Sequence, residues 1–240
     1  MPRKGRGKGR GKGGRPPGTP PSTPVGRRVS QRLKTARGRT VSQQHWLQRQ
    51  INDPYVAEAK KRGYRSRAAF KLLQLDDQLR FLKPGGRVVD LGAAPGGWTQ
   101  VSVERTKGGV IVGIDITPIE PVPGATVLAK DFYDDDAPEA LKALLKGPAD
   151  VVLSDMAASA TGETQVDHLR IMALAEAAHD FARQVLKPGG TFVAKVLRGG
   201  TERTLLERLK HDFVKVRHVK PAASRADSAE MYVVASGFRA

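Results

Sequence analysis

The chain has 240 residues, 39% of them hydrophobic, with 41 Lys/Arg against 24 Asp/Glu and a formal net charge of +17. That is enough apolar material for a packed core, and the charge argues against an ordinary acidic metabolic enzyme and for a polyanionic partner, nucleic acid or an anionic membrane surface. Without cysteine, disulfides, zinc–thiolate sites, iron–sulfur clusters and thiol nucleophiles are excluded, and no metal site, membrane span or secretory signal is expected.

The charge is uneven. Residues 1–52 hold 14 Lys/Arg and no acid, so the remaining 27 basic residues face 24 acids, a net of only +3. Residues 1–40, Gly-, Pro- and Arg/Lys-rich, cannot bury enough apolar surface to offset the entropy of ordering and read as a disordered basic arm. Such an arm fits a tether that binds RNA or DNA by counterion release, or a tail that only aids solubility; its glycine content disfavours a targeting presequence.

The rest, 41–240, reads as one α/β domain. A short helix is expected over 43–50. The apolar spacing of 66–82 predicts a helix, stopped by Lys83-Pro84-Gly85-Gly86. Strands are expected at 87–91, 110–115, 126–130, 151–154, 191–196, 213–219 and 229–235. Helices are expected at 98–105, 138–146, 167–186 and 201–210. Short continuous apolar strands alternating with helices describe a mostly parallel seven-stranded sheet covered on both faces. The last two strands, with no helix between them, suggest an antiparallel edge hairpin.

In such a sheet, ligands bind beyond the carboxyl ends of the strands. The first strand leads into Asp90-Leu91-Gly92-Ala93-Ala94-Pro95-Gly96-Gly97-Trp98. Small residues there let backbone amides approach a ligand at a helix N-terminus, although the same turn also serves plain strand–helix packing. Asp115 ends the second strand, where a carboxylate can accept from ribose hydroxyls. Asp131 follows the third, where it can meet an adenine edge. Together they describe a pocket for an adenosine-containing cofactor. Lys195 lies inside the apolar run Phe192-Val193-Ala194-Lys195-Val196, where a charged lysine is costly unless it snorkels to a strand end. The basic run Lys60, Lys61, Arg62, Arg65 and Arg67 leads toward Lys71 and is a candidate RNA-backbone contact. Arg198 and Arg225 are weaker candidates.

Several motifs in order, Arg65-Ser66-Arg67-Ala68-Ala69-Phe70-Lys71-Leu72, the glycine loop, Asp115, Asp131, Ser154-Asp155-Met156, Phe192 to Val196 and Glu230-Met231-Tyr232, closely resemble the FtsJ/RrmJ-type ribosomal RNA 2′-O-ribose methyltransferases. The resemblance runs from Asp53 to the C-terminus. It implies a Rossmann-like fold that uses S-adenosylmethionine (AdoMet), with Gly96, Trp98, Asp115, Asp131 and Asp155 toward the cofactor. It also implies a catalytic tetrad of Lys71, Asp155, Lys195 and Glu230. The family's Asp-Met-Ala-Pro-Asn run departs here to Asp155-Met156-Ala157-Ala158-Ser159, which touches the target-nucleotide loop.

The chemistry suits those residues. A ribose 2′-hydroxyl is a weak nucleophile that must be placed against the methyl group and relieved of its proton. A lysine acts as that base only with its pKa lowered by burial or a neighbouring cation. Lys195 is the expected base and Lys71 the cation beside it. Asp155 is expected to orient Lys195 and the hydroxyl, and Glu230 to hold Lys71 or the ribose. The expected function is methylation of a uridine 2′-hydroxyl in the A-loop of 23S ribosomal RNA, by a cytoplasmic monomer acting on the large ribosomal subunit. The alternatives are a transfer RNA or cap methyltransferase and a non-catalytic ribosome-assembly RNA-binding factor. A nicotinamide-dependent dehydrogenase is disfavoured by the missing GxGxxG.

Overall fold

The structure is a computed structural model that describes residues 38, 40–158, 161–198 and 202–239. The expected disordered arm therefore lies outside the described residues except for Gly38 and Thr40, as do Ser159 and Thr201. The first helix, α1 (Val41–Asn52), is longer than the expected 43–50 because it carries a capping box: Gln43 N–H donates to Thr40 Oγ1 and Thr40 N–H donates to Gln43 Oε1. Helix α2 (Pro54–Arg62) was not expected. Asp53 Oδ1 accepts from Tyr55 N–H at 2.9 Å, Pro54 occupies the first turn, and Gly63 closes the helix at φ 75°. Helix α3 spans Ala69–Leu79, shorter than the expected 66–82, and ends at Arg80, itself at φ 53°.

From there the chain alternates through β1 (Arg87–Leu91), α4 (Gly97–Thr106), β2 (Val110–Asp115), β3 (Ala125–Ala129), α5 (Ala137–Leu145), β4 (Ala149–Ser154) and α6 (Thr164–Val185). It continues through β5 (Leu186–Leu197), α7 (Glu202–Asp212), β6 (Phe213–Val219) and β7 (Glu230–Phe238). The sheet order is β3-β2-β1-β4-β5-β7-β6. Strands β1 to β5 pair in parallel, and β7 is antiparallel to both β5 and β6. The last two strands form the expected antiparallel pair at the sheet edge, with β7 lying between β5 and β6. Strand β5 starts five residues earlier than expected. Leu186 pairs with Ala149 and Thr191 with Val151, so the Lys-Pro-Gly-Gly segment bulges opposite Asp150. Pro188 has no N–H for the ladder and Gly189 sits at φ 81°, which suits a bulge.

Period-two alternation sends neighbouring strand residues to opposite layers. Val89, Val112, Val152, Phe192 and Ala194 pack under α5, α6 and α7. Val88, Ile111, Val151 and Val193 pack under α2, α3 and α4. Both faces are buried, which is why these strands read as unbroken apolar runs. Lys195 shares the face of Val193, toward α3 and Lys71.

Candidate active site

Register brings the polar residues together. Lys195 on β5 lies directly opposite Tyr232 on β7, and Leu197 lies opposite Glu230. Lys195 Nζ donates to the Asp155 carbonyl at 2.7 Å and lies 3.3 Å from Asp155 Oδ1. Tyr232 OH donates to that same Oδ1 at 2.8 Å and accepts from Lys71 Nζ at 3.1 Å. Lys71 Nζ also donates to Glu230 Oε2 at 2.8 Å, while Ser224 Oγ donates to Glu230 Oε1 at 2.8 Å. The chain Glu230–Lys71–Tyr232–Asp155–Lys195 is continuous. All four tetrad residues are mostly buried, Lys195 at 9% side-chain exposure.

Burial alone would raise the Asp155 carboxyl. The Lys195 and Lys71 ammoniums, with the Tyr232 hydroxyl, outweigh it and hold the group below the usual carboxylate range. Burial first, then Asp155 and Glu230, push the Tyr232 phenol well above its ordinary value. It therefore stays protonated and links Lys71 to Asp155 as both acceptor and donor. Tyr232 is the member that sequence reasoning missed. It is two residues after Glu230 and so on the same strand face, a signal hidden because a tyrosine in an apolar strand reads as core.

Two cavities flank this chain. One, of about 790 Å³, opens at the carboxyl ends of β1, β2, β3 and β4, and Asp115, Asp131, Asp155, Gly92 and Ala94 are among its lining residues. Asp115 Oδ2 accepts from Ala94 N–H at 2.9 Å and Oδ1 from Thr117 N–H at 2.8 Å, which fixes the carboxylate at the rim. Asp131 Oδ1 accepts from Tyr133 N–H. At Gly92, φ is 79° and a Cβ would meet the Met156 backbone at 2.8 Å, so only glycine keeps this wall in place. The second cavity, of about 470 Å³, has Arg49, Arg67, Lys71, Arg225, Asp227 and Glu230 in its lining. Arg49 was missing from the sequence expectation because it lies on α1, away from the motifs.

Other expected residues sit elsewhere. Gly96 and Trp98 do not line the larger cavity. Trp98 is 3% exposed, donates from its indole N–H to the Ala68 carbonyl and packs on Tyr232 at 5.4 Å, so it supports the loop from behind. Gly96 has φ 106°, and a Cβ there would meet the Arg65 guanidinium at 2.9 Å. Arg65 itself turns inward and donates to the Glu120 and Pro121 carbonyls. Arg67 is within the second cavity's lining, where it pairs with Asp53 at 2.8 Å and bonds the Ala223 carbonyl. Arg62 pairs with Glu58 at 2.7 Å. Lys60 and Lys61 remain exposed at the end of α2. Among the described residues no group of three or more His, Asp or Glu could hold a metal ion, and no helix is long and apolar enough to cross a membrane.

Asp90 lies fully buried beneath the glycine loop. Thr99 Oγ1 donates to its Oδ2 at 2.7 Å, while Oδ1 has no hydrogen-bond partner. Burial, against the Thr99 bond and aided by Asp155 and Asp115, raises its pKa to about 7. The unfolded value is about 3.9. The folded state therefore holds a proton that the unfolded state has lost, and this group's contribution to stability falls as pH rises from about 4 through 7. Asp90→Asn keeps the Thr99 bond and removes that slope. Its stability relative to wild type should rise between pH 5 and 8 by on the order of 2 kcal/mol in denaturant melts without ligand. Parallel pH profiles for the two proteins would show Asp90 ionised throughout.

The cavity fits AdoMet. Its volume is that of a small-molecule site, Asp115 and Asp131 offer acceptors at the ends of neighbouring strands, and three carboxylates suit a ligand that carries a cationic sulfur. Comparisons agree. The FtsJ-like methyltransferase family matches residues 64–238. A ribosomal RNA large subunit methyltransferase E from Xanthobacter autotrophicus is 63% identical over 212 residues, covering 87% of this chain and 84% of that protein. The protein of the same name from Paramagnetospirillum magneticum is 63% identical over 214 residues, covering 87% and 88%. Among solved structures, a Plasmodium falciparum protein assigned as a ribosomal RNA methyltransferase superposes with a TM-score of 0.66 at 33% identity, over 73% of this chain and 98% of that one. These matches, on a seven-stranded sheet with a small-molecule cavity at its carboxyl edge, place the chain in the family of FtsJ-like, AdoMet-dependent methyltransferases.

Proposed function

We propose that the chain methylates the ribose 2′-hydroxyl of a uridine in the A-loop of 23S ribosomal RNA, as a cytoplasmic monomer acting on the large ribosomal subunit. The observation that carries this reading is Asp155. Its side chain lines the cofactor cavity and bonds the Lys195–Tyr232–Lys71–Glu230 chain that reaches the basic cleft. The relatives' shared name supports large-subunit ribosomal RNA as the substrate.

When bound, AdoMet supplies an electrophilic methyl group on a sulfonium sulfur. Asp115, Asp131 and Asp155 would hold it. Lys195, in its neutral form, takes the 2′-hydroxyl proton at Nζ. Asp155 orients that amine through its carbonyl and carboxylate. Lys71 adds the neighbouring cation, and Glu230, steadied by Ser224, fixes Lys71 and the ribose side of the cleft. Arg49 and Arg225 in the cleft, and Lys60 and Lys61 exposed at the end of α2, suit phosphate contacts, which position an RNA without reading its sequence. The target nucleotide has to be splayed from its neighbours to reach this depth.

The test is to incubate the protein with labelled AdoMet and undermethylated large subunits, then map the modified nucleotide. A single 2′-O-methyluridine in the A-loop is expected. Label on a base, or only on transfer RNA or capped RNA, overturns the reading.

A further inference from the structure

The cleft beside Lys71 is not the only basic concavity on that face of the sheet. A cavity of about 390 Å³ lies at the opposite end of the strands, walled by Arg80 and Lys83 from the turn after α3 and by Lys215 and Arg217 from β6, with Lys187 and Asp150 at its edge. Asp150 does not neutralise it. That carboxylate accepts from Arg87 N–H and pairs with Lys187. Arg80, Lys83, Lys215 and Arg217 are all exposed, and none has an ion pair or side-chain hydrogen bond among the described residues. Arg80 is held at the rim by a left-handed backbone, φ 53°, that a non-glycine residue adopts only at a cost.

The floor of this groove includes Val234 and Ser236 of β7. By alternation these share a face with Tyr232 and Glu230. Groove and tetrad therefore lie on one side of one strand. Glu230 and Ser236 are six residues apart, about 20 Å at ~3.4 Å per residue.

Charges on an edge strand such as β6 also serve to prevent edge-to-edge pairing. That accounts for Lys215 and Arg217 and not for Arg80 and Lys83, which converge on the same concavity from the turn after α3. We propose that this groove is a second phosphate-binding site, which grips the backbone of a structured RNA about 20 Å from the nucleotide being methylated. It rests on RNA as the substrate, and it assigns the enzyme a footprint larger than the target loop. Four unpaired cations in a concave wall match a run of backbone phosphates, and such contacts release counterions.

The experiment compares wild type with the triple variant Lys83→Glu, Lys215→Glu, Arg217→Glu in the full chain. None of the three belongs to the cofactor cavity or the tetrad. Charge reversal keeps the β6 edge charged, so a purely protective role predicts no change. Affinity is measured over a salt series for two RNAs: large-subunit ribosomal RNA and a minimal target hairpin too short to reach the groove. The variant should bind the large RNA 10- to 100-fold more weakly, with the salt slope reduced by roughly 2–3, while its hairpin affinity and AdoMet affinity stay unchanged. Equal affinity and slope on the large RNA overturn the groove. An equal loss on the hairpin overturns it too, because the charges would then act at the site itself or through the general field. Wild-type methyl transfer is followed on the same RNA. If it is absent, the proposed reaction fails while the binding comparison still decides the groove.

Discussion

Lys195→Ala should abolish methyl transfer, by at least about 10²–10⁴-fold in single-turnover rate, while AdoMet affinity stays near wild type. Lys195 is buried on the α3 face of β5, where its ammonium is engaged with the Asp155 carbonyl and carboxylate, and Lys195 itself is not among the residues that line the cofactor cavity. Removing it leaves Asp155 with the Tyr232 hydroxyl and the more distant Lys71. The loss of one partner of a buried pair also costs stability, on the order of a few kcal/mol. A rate loss alone would therefore not separate catalysis from damage. Two further variants do. Lys195→Met keeps the apolar stem and the strand packing, and it should be as inactive as the alanine variant. Lys195→Arg keeps a cation against Asp155, but a guanidinium does not deprotonate in proteins. If Lys195 takes the hydroxyl proton, the arginine variant is inactive although it binds AdoMet. If Lys195 only holds Asp155 in place by charge, the arginine variant retains much of its activity. Alanine and wild-type rates that agree would remove Lys195 from the mechanism altogether.

What the sequence discloses about this site depends on how local each determinant is. Strands β1, β2 and β4 are legible because both faces are buried, which leaves short apolar runs such as Val110 to Ile114 and Val151 to Leu153, and in β1 the pair Val88-Val89 before the buried Asp90. Helix α2 was also legible and overlooked. Asp53, Pro54 and Gly63 are cap, first-turn and stop signals, but the basic residues between them drew a reading as an RNA contact instead. The direction of Lys195 follows from alternation within β5. Its pairing with Tyr232 does not, since the register depends on β7 passing between β5 and β6, a long-range arrangement that no window of sequence contains. Charge counting does not distinguish Arg65 from its neighbours. An arginine that braces carbonyls and an arginine that meets phosphate look alike in a sequence, and only the fold shows that Arg65 turns to the Glu120 and Pro121 carbonyls. The resemblance grouped Trp98 with the cofactor residues. In the fold its indole lies behind the loop and bonds Ala68, because α4 turns that face of the helix onto α3 and Tyr232.

Asp115→Ala should weaken AdoMet binding by about 10- to 100-fold, the loss expected when hydrogen bonds to a charged acceptor are removed. The carboxylate sits at the last residue of β2, one past its pairing with β1, and is only partly buried, so water can replace it at the Ala94 and Thr117 amides. The β2 ladder and the Gly92 turn keep their own backbone bonds, including Gly92 N–H to the Ile114 carbonyl. The fold should therefore persist, with an unchanged far-ultraviolet spectrum. Calorimetry with two ligands tells why binding falls. S-adenosylhomocysteine carries the same adenosine as AdoMet and lacks the sulfonium charge. If Asp115 grips the ribose hydroxyls, both ligands lose affinity by the same factor. If it acts by attracting the cationic sulfur, AdoMet loses far more than the neutral thioether. Asp115→Asn, which keeps an oxygen acceptor and discards the charge, should fall between wild type and alanine in the first case and match alanine in the second. AdoMet binding unchanged in both variants would mean that the cofactor lies elsewhere than against the end of β2.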